Sequence, residues 1–216
     1  MKMIVRLAII TIALGLASGP ALGVPLLNYD PLGPQAADTP LAPSFTAPGV
    51  SASDLSQAGF EDFWSNTDVL PVGRISDATT IPLGQYVSFT VSGRLDLESL
   101  TYSKLSYLNA GPTAASVRSS LDGFAADIDT LALSSASGIA LLSFDLSSLV
   151  TLSSPTEFRI YFYGSPTDLT DWADLASSAR GADGLTLYGT EVPEPGTLAL
   201  LGAGLVGMGF ARRKQI

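Results

Sequence analysis

The chain contains neither cysteine nor histidine, and charged residues make up only 14% of its 216 positions. The absence of cysteine excludes disulfides, thiolate metal sites and a cysteine nucleophile. The absence of histidine removes the side chain best suited to proton transfer near neutral pH and the commonest zinc ligand. Basic residues are scarce as well, with 11 Lys and Arg against 20 Asp and Glu. The net charge of −9 disfavours nucleic acid as a partner, because phosphate binding requires a basic surface.

Apolar and turn-forming residues are abundant by contrast. Hydrophobic residues make up 46% of the chain, and there are 21 glycines and 14 prolines. High apolar content combined with low charge rules out a generically disordered chain. The glycine and proline content favours a loop-rich β protein over a helical bundle.

Residues 1–23 have the order of features found in a secretory signal peptide: a positively charged start, a short apolar core and a small-residue cleavage site. The apolar core at 7–16 is too short to span a bilayer comfortably. Ala21 and Gly23 occupy the −3 and −1 positions of the cleavage site. The pattern therefore predicts export and a mature chain that begins at Val24.

The C-terminal segment, residues 191–216, combines three features. It opens with a proline-containing motif formed by Val192, Pro193, Glu194 and Pro195. Because proline fixes φ and lacks an N–H donor, we expect this motif to be extended and accessible to another protein. Residues 197–211 carry no charge and predict a short transmembrane helix of about 22 Å, less than the ~30 Å hydrocarbon core. A basic tail follows, formed by Arg212, Arg213 and Lys214, and predicts a cytoplasmic end.

These three parts, in this order at the C-terminus, resemble the PEP-CTERM sorting signal of exported bacterial proteins. The resemblance implies that the chain is a substrate of exosortase, a membrane-embedded cysteine protease-transpeptidase. It implies transient insertion in the inner membrane and cleavage at or near residues 193–195. Release, or attachment to the cell surface or to extracellular polysaccharide, would follow.

Between the two ends we predict a Pro-rich, mostly irregular segment at residues 24–50, with a short edge strand as the alternative, and an ectodomain at residues 51–190. Short runs with period-two alternation and β-branched or aromatic residues predict strands there. The predicted strands are 86–91, 95–107 with an irregularity near Ser99, 115–120, 131–133, 139–146, 157–163 and 185–188. Turn residues between them predict an all-β, antiparallel, jelly-roll-like β-sandwich.

The order of residues 86–91, 118–124, and 157–161 followed by Gly164 is similar to ectodomains found upstream of PEP-CTERM signals. Those ectodomains resemble galactose-binding-like and carbohydrate-binding jelly rolls. Residues 179–184 differ from the glycine-rich approach to the final strand in that group. No binding residue is therefore carried over from the resemblance.

Acidic side chains are concentrated in the ectodomain, since all 20 of them lie between residues 30 and 194. Two groups are closely spaced: Asp122, Asp127 and Asp129, and Asp168, Asp171 and Asp174. Neither group has the order of an EF-hand loop, so we expect solvated turn and helix-start aspartates and no cofactor. A structural Ca²⁺ at the first group is the alternative left open, because Ca²⁺ takes several oxygen ligands.

Aromatic side chains are the candidates for sugar binding, because an exposed ring offers a flat apolar surface. The candidates are Trp64, Tyr102, Tyr107, Tyr161, Tyr163, Trp172 and Tyr188. We expect most of them to be packing groups instead. Arg159, beside the Tyr161 and Tyr163 face, is equally consistent with a buried ion-pair partner.

The sequence predicts a non-enzymatic protein. It contains no Gly-x-Ser-x-Gly elbow, phosphate loop or dinucleotide fingerprint, and a Ser-His-Asp triad is impossible without histidine. We expect a structural or adhesive protein of the bacterial surface or extracellular polysaccharide. The alternative is a carbohydrate- or Ca²⁺-binding module with its own selectivity, and a secreted hydrolase ranks third.

Overall fold

The computed structural model describes residues 23–35, 39–60, 66–72, 79–106, 111–164, 173–193 and 196. Strands predominate in these ranges, and the only helical elements of more than one residue described there are the 3-10 turns Ser120–Asp122 and Ser178–Arg180. The strands are β1 (Val24–Tyr29), β2 (Pro34–Gln35), β3 (Phe45–Thr46), β4 (Ser51–Ala52), β5 (Ser56–Ala58), β6 (Asn66–Thr67), β7 (Val69–Leu70), β8 (Tyr86–Ser92), β9 (Leu95–Ser106), β10 (Ala114–Ser119), β11 (Asp129–Ala132), β12 (Gly138–Asp145), β13 (Thr156–Tyr163), β14 (Asp174–Ala176) and β15 (Leu185–Glu191).

The strands form two large antiparallel sheets and one small two-stranded sheet. The seven-stranded sheet has the order β3-β1-β15-β9-β14-β7. The seventh strand, β12, pairs with the edge of β9 that faces away from β15. The six-stranded sheet has the order β11-β10-β13-β8-β4, and β5 also pairs with β8. β2 and β6 form the small sheet. The twelve-residue strand β9 is therefore the centre of the larger sheet, with β15 between it and β1.

One hydrophobic core lies between the two large sheets, and aromatic contacts connect them. Phe89 of β8 stacks on Phe158 of β13, with ring centroids 5.7 Å apart. Tyr29 of β1, in the other sheet, lies 5.7 Å from Phe89 between ring centroids. Tyr102 of β9 contacts Phe162 of β13 in the same way, at 5.1 Å. All five side chains are buried, and the Tyr29–Phe89 and Tyr102–Phe162 contacts join the two sheets from the inside.

The predicted all-β antiparallel class is confirmed. Seven strands fall where the alternation placed them, namely β8, β9, β10, β11, β12, β13 and β15. Two antiparallel sheets around one core are compatible with the predicted jelly-roll-like ectodomain. The predicted transmembrane helix at 197–211 lies outside the described residues, as does all of the predicted signal peptide except Gly23.

The prediction that residues 24–50 are irregular is wrong for their first part. β1 lies inside the seven-stranded sheet, between β3 and β15, and Leu26, Leu27 and Tyr29 are fully buried. The prolines of this segment obscured the strand, yet only Pro25 lies within it, next to a register shift in the pairing with β15. The folded domain therefore begins at about residue 24 and not at 51.

The irregularity predicted near Ser99 is a β-bulge between β9 and β15. Tyr188 pairs with Ser99, whereas the next residue, Gly189, pairs with Leu97, so Glu98 has no partner across this ladder. Gly189 is required here because of close backbone contact. A β-carbon at this position would lie 2.3 Å from the carbonyl oxygen of Asp96.

Replacement of Gly189 should therefore destabilise the fold. In Gly189→Ala the new methyl group meets backbone atoms, which cannot move aside. We therefore expect the free energy of unfolding to fall by about 1–3 kcal/mol. Urea denaturation followed by circular dichroism measures this loss. Gly84→Ala is the matched control, because a β-carbon there has nothing within 4 Å. Equal stability of the two variants would contradict the bulge geometry.

Candidate functional site

The end of β15 leads directly into the predicted processing motif. Glu191, the last residue of β15, pairs with Leu95, and the backbone N–H of Val192 donates to the carbonyl oxygen of Arg94 at 2.8 Å. Pro193 has no N–H, so the ladder cannot continue through it. Pro193 is exposed. The hydrogen-bonded domain therefore ends at the first residue of the motif, and the proline that follows is accessible.

Two loops lie beside the segment that leaves the domain. They line a cleft of about 490 Å³ together with Gly196, the residue that follows the Pro-Glu-Pro part of the motif. The first loop is the β8–β9 turn around Arg94, and the second is the exposed stretch 153–155 before β13. The structure thus places Val192, Pro193 and Gly196 at one end of the seven-stranded sheet. The other predicted sorting residues, Glu194, Pro195, Arg212, Arg213 and Lys214, lie outside the described residues.

The predicted mature N-terminus lies at the same end of the domain. β1 and β15 are antiparallel, and Val24 pairs with Gly189, close to where the chain leaves β15. Gly23 lies near this pair, since a β-carbon built on it would be 3.1 Å from the backbone nitrogen of Gly189. Ala21 is outside the described residues. Cleavage between Gly23 and Val24 stays a prediction, but the two predicted membrane-directed ends leave the domain side by side.

In the part of the chain that the structure describes, no helix is long and apolar enough to span a membrane. The predicted membrane segment at 197–211 lies outside that part.

The three aspartates proposed as Ca²⁺ ligands each have a different internal partner. Asp122 accepts backbone N–H bonds from residues 125 and 126, and Asp127 forms an ion pair of 2.6 Å with the Nε of Arg118. Asp129 accepts the backbone N–H groups of Thr130 and Asp145. Within the described ranges no three acidic side chains converge on one point. These aspartates therefore stabilise the loop after β10 and the end of β12.

The aromatic candidates do not form a common platform. Tyr102 and Tyr161 are buried, and Tyr163 and Tyr188 are half-buried on different sheets. Trp64, Tyr107 and Trp172 lie outside the described residues. Tyr102 and Tyr161 are thus packing groups, whereas Tyr188 lines a cleft over β1 and β15.

Arg159 is part of a cation–π layer on the outer face of the six-stranded sheet. Its guanidinium lies 3.7 Å from the ring centroid of Phe124 and 4.2 Å from that of Tyr86. Its Nε also donates to Glu157 at 2.8 Å. Phe124 has a φ of 63°, which is unusual for a non-glycine residue. The stacked arginine therefore holds the loop after β10 against the sheet.

Among the described residues one carboxyl group is buried, and the sequence pattern did not indicate it. Asp174, expected to be solvated, is 2% exposed in β14, and its Oδ1 accepts the backbone N–H of Val72 at 2.8 Å. Burial raises the pKa of Asp174 to about 7, and the Val72 hydrogen bond and the positive charge of Arg180 oppose this rise. The sequence spacing between Asp171 and Asp174 does not indicate this burial. Asp174 is buried because β14 pairs with both β7 and β9.

Lys104 of β9 is a second buried ionisable group, with 1% exposure. Its Nζ donates to the Oγ of Ser106 at 2.9 Å and to the carbonyl oxygen of Ser134 at 3.0 Å. Burial lowers the pKa of Lys104. Both groups stabilise the β9 region through hydrogen bonds.

Comparison with known proteins identifies the C-terminal segment. Residues 191–214 match the family of the PEP-CTERM protein-sorting motif. The resemblance found in the sequence is therefore confirmed, and the motif implies an exported protein that exosortase processes as a substrate. No curated protein and no solved structure matches the chain.

Asp174 should make the stability of the domain depend on pH. Because its pKa is about 7 in the folded state and 3.8 when unperturbed, the folded chain binds a proton that the unfolded chain releases between these values. The free energy of unfolding therefore falls as pH rises from about 4 to about 7, by up to about 4 kcal/mol. Asp174→Asn keeps the acceptor for Val72 and should remove this slope in urea denaturation at a series of pH values.

The exposed Asp183→Asn is the control for that measurement, and it should retain the wild-type slope. An unchanged slope in Asp174→Asn would show that Asp174 does not carry the effect.

Proposed function

We propose that this protein is a structural or adhesive component of the bacterial surface or extracellular polysaccharide. In this proposal it is first held at the inner membrane by its C-terminal segment and then released by exosortase. The observation that carries it is the junction between β15 and the motif. Among the described residues the last backbone hydrogen bond is at Val192, and the exposed Pro193 follows at once within the matched residues 191–214.

The chemistry of processing belongs to the protease, and this chain supplies the substrate. A protease binds an extended backbone, and the prolines of the motif favour that conformation while removing the donors that would pair it with the domain. Cleavage at or near residues 193–195 would leave β15 and the core intact, because Pro193 lies beyond the last paired residue. The ectodomain would therefore be released in its folded form.

The arrangement of the two ends supports a membrane-held precursor. The start of β1 and the end of β15 lie together, so both predicted membrane-directed segments leave one end of the domain. The opposite end, with the β14–β15 connection, faces away from that exit. A domain held in this way projects outward before it is released.

The amino-acid composition favours a non-catalytic role for the ectodomain. The whole sequence lacks histidine and cysteine, which provide the usual bases and nucleophiles near neutral pH. The ectodomain is also strongly acidic, which favours solubility outside the cell. A binding module with ligand selectivity is the second candidate, and the cleft described in the next subsection favours it.

Intact mass spectrometry of the secreted form tests the proposal. We expect a chain that begins at Val24 and ends within or next to residues 193–195. Replacement of Pro193, Glu194 and Pro195 by alanine should leave the unprocessed precursor in the membrane fraction, because the substrate then lacks the segment that the protease recognises.

Pro155→Ala is the control, since this exposed proline lies beside the same exit but outside the motif. It should be processed normally. A secreted form that still includes Phe210 and Arg212 would show that the segment is not a sorting signal.

A further inference from the structure

A cleft of about 420 Å³ lies on the outer face of the seven-stranded sheet, over β1 and β15. Strand register forms it. Pro25 pairs with Tyr188 and Asn28 pairs with Thr186, and all four line the cleft. The residues that alternate with them, such as Leu187, are directed into the core. We name this site the β1–β15 cleft. Its floor is therefore formed by paired strands, and Asp30, Ser178 and Asp183 of the adjoining connections close one end.

The walls of the β1–β15 cleft are aromatic. Phe45 of β3 pairs with Asn28 of β1 and is 46% exposed, which is high for a phenylalanine. Tyr188 is half-buried on the neighbouring strand. An exposed aromatic ring in a sheet has an apolar face available for contact with a ligand. These two side chains give the cleft flat apolar surfaces.

The end of the cleft farther from the C-terminal exit is polar and acidic. The carboxylate of Asp30 accepts the backbone N–H of Ser178 at 2.9 Å and also the Ser178 hydroxyl, so it is fixed in place. The exposed Asp183 lies beside it, and its backbone carbonyl accepts a bond of 2.9 Å from the side-chain amide of Asn28. No Lys or Arg is among the described lining residues. This end therefore presents carboxylate acceptors and no cation.

We propose that the β1–β15 cleft binds a neutral sugar ring of a polysaccharide. A sugar has an apolar C–H face that contacts an aromatic ring, and hydroxyl groups that donate hydrogen bonds to carboxylates. The cleft offers both, with aromatic walls and two carboxylates, and its volume lies within the usual range for small-ligand sites. Uronic acids and sulfated sugars are disfavoured, because their charges would lie next to Asp30 and Asp183.

The orientation of the cleft suits a domain that is held at one end. It extends along β15 from Tyr188 toward Asp183, which is away from Val192 and the exit of the C-terminal segment. The site is consequently open both in a membrane-held precursor and in a released domain. The inference extends the proposed function only in that export brings the cleft into contact with extracellular sugars.

Nuclear magnetic resonance titration of the full chain in detergent micelles tests the inference without requiring processing. The probes are neutral hexasaccharides of glucose, mannose and galactose, with hexagalacturonate as the charged counterpart. We expect at least one neutral probe to shift the backbone amide signals of residues 26–28 and 183–188 in a saturable way. Hexagalacturonate should leave these signals unchanged.

Two exposed side chains provide the variants, since removal of the half-buried Tyr188 also removes packing. Phe45→Ala and Asp183→Ala should each weaken binding about tenfold. Leu141→Ala is the matched control, because Leu141 is 60% exposed in the same sheet and lies outside the cleft. It should bind as the wild type does.

The inference is overturned if no neutral probe shifts these amide signals, if both cleft variants bind normally, or if hexagalacturonate binds equally well. Correct processing of the secreted chain combined with any of these results would reject the cleft and leave the proposed function standing.

Discussion

The position of β15 between β1 and β9 is the constraint on which the rest of the structure depends. β15 is the last strand of the domain, yet it lies inside the seven-stranded sheet, and its Leu185 and Leu187 are fully buried. The sheet cannot be completed until this strand pairs on both sides. The sorting motif follows β15 directly in the chain. The folded domain therefore ends, and the accessible motif begins, at Val192.

The absence of disulfides leaves the stability of an exported domain to packing. The core is mostly aliphatic, and aromatic contacts such as Tyr29 with Phe89 also connect the sheets. The hydroxyl of Tyr29 donates to the carbonyl oxygen of Ser53. The outer face of the six-stranded sheet has its own support, because Arg159 is stacked between Phe124 and Tyr86. The same lack of cysteine makes the fold independent of the redox state outside the cell.

The local alternation of apolar and polar residues predicted most of the strands. It could not predict which residues lie close together because distant parts of the chain pair in a sheet. The alternation in β8 and β13 reflects one buried face, and the change of phase near Ser99 reflects Glu98, which has no partner across the β9–β15 ladder. β1 was predicted at most as a short edge strand, because prolines in the surrounding segment outweighed its apolar residues. The β1–β15 cleft could not be predicted at all, since Asn28 and Thr186 meet only through the register of strands about 160 residues apart.

Hydrogen exchange of the full chain, measured residue by residue, tests the central claim most directly. If β15 is an interior strand that ends at the motif, the amides of residues 185–191 exchange only on global unfolding, and the amide of Glu194 exchanges as fast as a loop. Fast exchange throughout residues 185–191 would contradict the account, and so would equally strong protection of Glu194.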